Sequence, residues 1–289
     1  DRSPSRGLGD VYKRQVMRDD WGKTDPDRSE TPSKREHTMD VIVPGVGVEY
    51  AINEFQSVSV GVHKGFAPPG PGTSGVTDKA VDPETSMNTE IGFKSNQGLN
   101  SLEFTLFMNS YDNLLGADTA ASGGGSDELF NGGAVDISGF ELYLRRILVD
   151  NGRIQMPFEL AWTNTNSEFQ ESFDGFWGDV SKGDELPYLP DTMVSLNLGL
   201  NVNKISANIS MKKTSEMRTV AGSGSISGSD ATDEITIIDL GMRYALQDNV
   251  TLSVGINNFM DSDGIAARRP YGARPTMPRS FNLGVDYTF

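Results

Sequence analysis

The stretch SFNLGVDYTF, residues 280–289, decides the fold. Phe281, Leu283, Val285, Tyr287 and Phe289 are apolar and alternate with Ser280, Asn282, Gly284, Asp286 and Thr288. A period of two is the mark of a strand with one apolar face. No polar tail follows it, although chain ends fray unless something ties them down. The alternation recurs upstream. Val48, Tyr50 and Ile52 carry it, then Val58, Val60 and Val62, then Met87, Thr89, Ile91 and Phe93. Leu102, Phe104, Leu106 and Met108 follow, then Phe140, Leu142 and Leu144, then Ile154, Met156, Phe158, Leu160 and Trp162. Further strands are marked by Val194 to Val202, Ile205 to Met211, Ile238 to Leu246 and Val250 to Ile256. Eleven strands are expected from about residue 46 onward, with no amphipathic helix of comparable quality.

The connections alternate in length. NEF, NQGLN, DNGR, NK and QDN are tight turns rich in Asn, Asp and Gly. Between them lie loops of roughly 15 to 25 residues, centred near residues 74, 124, 180, 225 and 269, an unusual number of long loops for a compact soluble domain. Every long loop falls on the same side of an up-and-down meander, as in transmembrane barrels of the bacterial outer membrane. Strands of ten or eleven residues, tilted by about 45°, span roughly 25 Å of membrane normal. Tyr50, Phe93, Tyr244 and Tyr287 sit near strand ends that approach a tight turn or the C-terminus. Trp162 sits near the opposite end of its strand. These places suit the two aromatic girdles. The other strand face carries Glu49, Glu90, Lys94, Glu103, Glu141, Arg145, Glu159, Asp239, Arg243 and Asp286. Charges at mid-membrane depth do not face lipid cheaply, so this face belongs to a wet lumen or a plug. A soluble antiparallel sheet with one solvated face is the alternative. An odd count of eleven does not suit a single-chain bacterial barrel, but it is half of twenty-two, the number in plugged transporters.

Composition narrows the function. With 40 acidic and 25 basic residues the formal charge is −15, which argues against nucleic acid as the main partner. There is no cysteine, hence no disulfide framework, thiolate metal site or cysteine nucleophile. The two histidines, His37 and His63, are far apart in sequence. No metal or cofactor is expected. No nucleophile, base and orienting group fall into a recognisable arrangement, so no catalytic residue is assigned and no enzyme is expected. No run of 18 apolar residues marks a transmembrane helix, and the mean hydropathy of −0.38 suits a barrel that hides its apolar face in alternate positions. Residues 1–15, DRSPSRGLGDVYKRQ, are basic in an acidic chain and resemble translated adapter sequence. They are expected to be non-native, with 16–38 a polar loop and 39–289 the barrel segment.

From about residue 40 onward the chain resembles the C-terminal barrel half of TonB-dependent outer-membrane receptors. The matching segments are VGVHKGFAPPGPG, DPETSMNTEIGFK, FNGGAVDISGFEL, DELPYLPDTMVSLNLGL, NVTLSVGINNFMDSDG and RRPYGARPTMPRSFNLGVDYTF. Asn258, Phe259, Met260 and Asp261 stand where the family has Asn-Leu-Phe-Asp, with Met260 departing from the usual Phe. The resemblance implies an all-β transmembrane antiparallel barrel of 22 strands in the bacterial outer membrane, of which this chain is the C-terminal half. It implies active uptake of a scarce ligand, energised by the TonB system through an N-terminal plug that is not in this chain. The segments YDNLLGADTAASGG and RRPYGARP look most like receptors for ferric dicitrate or related ferric chelates such as siderophores. Outer-membrane lipid and the assembly machinery are further partners, and the terminal aromatics Tyr287 and Phe289 are expected to serve as an assembly signal. A passive, porin-like channel and a soluble β-rich binding protein remain the alternatives.

Several motifs are weighed against plainer roles. GPGTSG (Gly70, Gly72, Gly75) matches a dinucleotide-binding pattern but precedes no helix, so it reads as a loop. SGGGSDE and AGSGSISGSD read as loop tips. Residues 169–191 hold six acids, one base and Phe169, Phe173, Phe176, Trp177 and Tyr188; Trp177 is a ligand-contact candidate, against simple packing of the aromatics. Asp174, Asp179 and Asp184 lack the spacing of a calcium loop. In IAARRPYGARPTMPR, the basic loop, Arg268, Arg269 and Arg274, with Tyr271, are candidates for contact with an anionic chelate, because guanidinium forks bind carboxylates bidentately. Salt bridging to neighbouring acidic loops, or to lipopolysaccharide phosphate, is the other use of such arginines.

Overall fold

The computed structural model describes residues 9–19, 35–68, 82–117, 129–175, 178–226, 228–269 and 272–289. All regular structure in these residues is β. In chain order the strands are β1 (Gly9–Asp19), β2 (Arg35–Asn53), β3 (Gln56–Ala67), β4 (Glu84–Gln97), β5 (Asn100–Asp112), β6 (Leu115–Ala117), β7 (Leu129–Asn131), β8 (Val135–Asp150) and β9 (Ile154–Phe169). They continue as β10 (Phe173–Gly175), β11 (Gly178–Val180), β12 (Thr192–Val202), β13 (Ile205–Thr214), β14 (Ile235–Gln247), β15 (Val250–Asn257), β16 (Ile265–Ala267), β17 (Arg274–Pro275) and β18 (Ser280–Tyr287). Twelve of these form one antiparallel sheet in the order β1-β2-β3-β4-β5-β8-β9-β12-β13-β14-β15-β18, with β1 and β18 at its two edges. Three short hairpins, β6–β7, β10–β11 and β16–β17, decorate the long connections.

The sheet has one strand more than the eleven expected. The addition is β1, whose residues Gly9–Asp19 pair with β2 from Gly45 back to Arg35. The expected polar loop at 16–38 is correspondingly shorter, since residues 16–19 and 35–38 lie in strands. The physical reason is that an open sheet edge offers a row of backbone donors and acceptors, and any extended segment can pair with it whatever its side chains. Strand formation is therefore independent of the origin of residues 1–15.

The register explains the amphipathic pattern. Val60 stands opposite Ile91, Ile91 opposite Leu106 and Leu106 opposite Phe140. Leu144, Leu160, Leu196, Met211 and Ile238 form a second such row, and Ile209, Leu240, Ile256 and Phe281 a third. One continuous apolar face thus runs from β2 to β18. The opposite face is polar: Lys94 meets Glu103 at 3.1 Å and Arg145 meets Glu159 at 3.7 Å. The apolar face is not covered by protein. Val48, Tyr50, Ile91, Leu106, Met108 and Leu283 are all exposed, while the buried apolar side chains among the described residues are Val135, Phe169, Val180 and Ala231. A water-soluble sheet would bury that face, so the arrangement is that of a sheet solvated by lipid.

The turns alternate as the spacing predicts. Short links at 54–55, 98–99, 151–153, 203–204 and 248–249 join β2–β3, β4–β5, β8–β9, β12–β13 and β14–β15. Gly98 and Asn203 open two of them with φ of 62° and 50°, a conformation that Gly and Asn tolerate best. All the longer connections lie at the other end of the sheet.

Candidate functional site

At the long-connection end the loops fold over one another. Val135, Phe169 and Val180 form the buried apolar cluster, with Leu114, Ile137, Phe173, Leu186 and Ala221 packed against it. Phe169 and Phe173 meet edge to face at 5.6 Å. These residues come from three connections and the strand ends below them, so the compact core of the described molecule lies here and not between sheet layers.

Hydrogen bonds stitch neighbouring connections together in sequence. Asp82 N–H donates to Asn131 Oδ1 (2.8 Å), Asn131 Nδ2 donates back to the Asp82 carbonyl (2.9 Å), and Leu115 N–H donates to Glu84 Oε2 (2.9 Å). Ala134 N–H donates to Glu171 Oε1 (3.0 Å) and Gln170 N–H to the Ala134 carbonyl (2.9 Å). Glu185 N–H donates to the Gly222 carbonyl and Tyr188 N–H to the Arg218 carbonyl, both at 2.8 Å. Arg218, only 8% exposed, pairs through Nε with Glu185 Oε2 at 2.5 Å and donates through Nη2 to the Gly224 carbonyl. Asp233 N–H donates to the Ile265 carbonyl (3.0 Å), and Ile265 N–H donates to Asp233 Oδ2 (2.7 Å).

The arginine candidates divide within this layer. Arg268 donates from Nε to the Ala231 carbonyl and from Nη2 to the Gly228 carbonyl (2.8 Å), so two of its donors brace the neighbouring loop. Arg274 Nη2 donates to the Arg269 carbonyl within its own loop. Arg269 differs: its Nη1 is buried with no hydrogen-bond partner, as is the Tyr188 hydroxyl. Trp177 and Tyr271 lie outside the described residues. Tyr287 and Phe289 stack edge to face at 5.1 Å at the opposite end of the molecule. Among the described residues no three His, Asp or Glu side chains converge to hold a metal; Asp174 and Asp179 face each other across the β10–β11 hairpin, and Asp184 Oδ2 accepts from Ser181 N–H at 2.8 Å.

Sequence reading passed over Arg218 and Asp191. Both lie close to acidic residues, which was the available signal. The Asp191 carboxyl is held above its ordinary range by desolvation and by the Glu185 and Glu216 carboxylates, with the Arg218 guanidinium pulling the other way. An acid whose folded pKa exceeds its unfolded one weakens the fold when ionised. Asp191→Asn is therefore expected to raise stability at neutral pH. The gain should fade as pH falls through the raised pKa and vanish below the ordinary carboxylate range. Thermal unfolding of both forms across that range measures this, and a gain that grows on acidification would contradict the assignment.

An open antiparallel sheet with a lipid-solvated face, a charged inner face and one layered end is a segment of a large outer-membrane-type β-barrel. The family model described as TonB dependent receptor-like, beta-barrel, matches residues 14–259, and the chain belongs to this family, whose members are outer-membrane barrels acting as receptors and transporters. Among solved structures it is similar to the siderophore receptor PiuA from Acinetobacter baumannii, with 19% identity, a TM-score of 0.69, and coverage of 90% of this chain and 37% of that one. It is similar to the ferric yersiniabactin uptake receptor FyuA from Yersinia pestis, with 15% identity, a TM-score of 0.69, and coverage of 90% and 39%. The ferric-catecholate import receptor Fiu from K12 E. coli matches with 17% identity, a TM-score of 0.68, and coverage of 97% and 40%. At these identities the likeness is one of fold, and the chain spans about two fifths of each structure's length. No curated protein sequence matches the chain.

Proposed function

We propose that the chain is the C-terminal barrel portion of a bacterial outer-membrane receptor that takes up a ferric chelate, of siderophore or ferric dicitrate type, by TonB-dependent transport. The observation that carries this reading is the strict alternation of short turns and long, mutually bonded connections on a sheet whose apolar face is uncovered, in a chain belonging to this family. Supporting it, the three similar structures named above are receptors for siderophores and ferric complexes. The long connections form the outer mouth, where ligand arrives. Arg269, with its unpartnered guanidinium edge, is the arginine best suited to an anionic ligand oxygen, with Trp177 and Tyr271 as the aromatic ligand contacts. The plug and its TonB contact belong to polypeptide outside this chain, and Tyr287 and Phe289 are read by the assembly machinery. The receptor binds and moves its ligand without changing it chemically.

The chain has no cysteine of its own, so with any cysteine in the rest of the receptor replaced, single cysteines here report position cleanly. In the intact receptor, cysteines at Ser181 and Gly224 are expected to react with a membrane-impermeant maleimide added outside intact cells, and cysteines at Gly98, Asn151 and Asp248 to stay unlabelled. Labelling at the short turns would sink the topology. Uptake of radioactive iron chelates that persists without TonB would turn the reading into a passive channel.

A further inference from the structure

Of the arginines expected to face a ligand, Arg268 instead bonds a neighbouring loop and Arg274 its own, while Arg218, not among those candidates, also joins two loops. We propose that the long connections form one mechanical unit, latched by Arg218 and Arg268, and that they open together and not as independent flaps. The described parts of neighbouring connections are bonded in turn: Asp82 and Glu84 to Asn131 and Leu115, Ala134 to Gln170 and Glu171, Glu185 and Tyr188 to Gly222 and Arg218, and Gly228 and Asp233 to Arg268 and Ile265. The 215–234 connection is the middle of the strongest run. It holds Arg218, Thr219 and Thr232, which are 8%, 3% and 1% exposed. If it opened alone it would break its bonds to 170–191 on one side and to 258–279 on the other. It would also break the Glu185–Arg218 ion pair, which joins a buried guanidinium to a partly exposed carboxylate of the neighbouring connection. Joint movement keeps both sets of bonds.

The latch chemistry is specific to arginine. Arg268 bridges the Ala231 and Gly228 carbonyls from two different nitrogens of one planar fork. A lysine ammonium carries the same charge but lacks that fork, so it does not reproduce the bridge. Arg268→Lys thus separates two roles. A residue that supplied only positive charge to a ligand would leave the ligand-free loops unchanged by this exchange. A latch residue would not.

The test is native-state hydrogen exchange on the intact, ligand-free receptor in lipid, with rising denaturant. The reporting amides are the cross-loop donors of Glu185, Tyr188, Asp233 and Ile265. In the wild type these four are expected to share one opening free energy, reached below that of the β12–β15 strand amides. In Arg268→Lys, exchange at Asp233 and Ile265 should rise by roughly tenfold while the strand amides keep their wild-type rates. Four separate opening transitions in the wild type would overturn the proposal without reference to any variant. Unchanged exchange at Asp233 and Ile265 in Arg268→Lys would overturn the role of Arg268 as a latch.

Discussion

Asn258→Ala is expected to destabilise the barrel segment by about 3–5 kcal/mol, through stranded hydrogen-bond partners and left-handed backbone strain. Asn258 is 3% exposed and lies just past the outer end of β15 with φ at 50°. Its Nδ2 donates to the Ser262 carbonyl at 2.9 Å and to the Met277 carbonyl at 2.8 Å, and its Oδ1 accepts from Ser262 N–H at 2.9 Å. Its own N–H donates to Asp239 Oδ1 at 2.8 Å. One side chain therefore closes the turn after β15 and ties it to the segment entering β18. Asp261 completes the device: its carboxylate accepts from Arg279 N–H at 2.8 Å, and the Arg279 side chain donates to the Phe259 carbonyl at 3.2 Å. Asn258→Gly separates the two contributions. It removes the same three side-chain bonds but adopts positive φ without strain, so it should be milder than Ala by about 1 kcal/mol. Denaturant unfolding of the intact receptor in lipid measures both variants. If both stay within about 0.5 kcal/mol of wild type, the level of an ordinary surface change, the turn is held by its backbone alone.

The Asn-Phe-Met-Asp segment shows what the sequence could and could not disclose. Its likeness to a family motif was visible, but its work was not, because the partners at Met277 and Arg279 lie about twenty residues away along an irregular loop. The sheet was legible for the opposite reason. Val58, Val60 and Val62 repeat at every second position because lipid selects the same face along the whole strand, and the turn lengths then give the order of strands. Strand β1 was not legible. Val11, Lys13, Gln15 and Met17 alternate with Tyr12, Arg14, Val16 and Arg18, and neither set is apolar. Backbone pairing to the edge of β2 leaves no such pattern. Arginine roles were hidden too. A guanidinium fork fits a carboxylate and a pair of carbonyls equally well, so Arg268 and Arg269 look alike in sequence, while in the folded loops one braces Gly228 and the other has an unpartnered nitrogen.

Leu142→Arg should cost about 2–4 kcal/mol of folding free energy in a bilayer, the penalty for a charge at lipid mid-depth, while Tyr143→Arg at the next position should change stability by less than about 1 kcal/mol. The contrast follows from register and position. Leu142 is the eighth of the sixteen residues of β8 and Trp162, paired with it, the ninth of the sixteen of β9, so both lie mid-strand and Trp162 is not at the outer strand end expected of it. Leu142 lies on the apolar face, opposite Phe104 on one side and Trp162 on the other, with Phe140 and Leu144 before and after it on the same strand face. The Trp162 ring meets Phe140 edge to face at 4.9 Å, which leaves no polar partner for a guanidinium there. Tyr143 points to the other face, opposite Glu103 and Ala161, where a cation meets water and a carboxylate. Ser138→Arg adds a depth control. Ser138 shares the face of Leu142 but lies two face positions closer to the long connections, opposite Met108 and Asn166, and an arginine there reaches the outer interface. Its cost should fall to about 0–1 kcal/mol. A sheet whose uncovered face met water would give a different order, since an arginine would be tolerated at Leu142 and Ser138 on that face as well as at Tyr143 on the other. Equal, small effects for Leu142→Arg and Tyr143→Arg would therefore remove the lipid from the explanation of this fold, and with it the reason why the apolar face is uncovered.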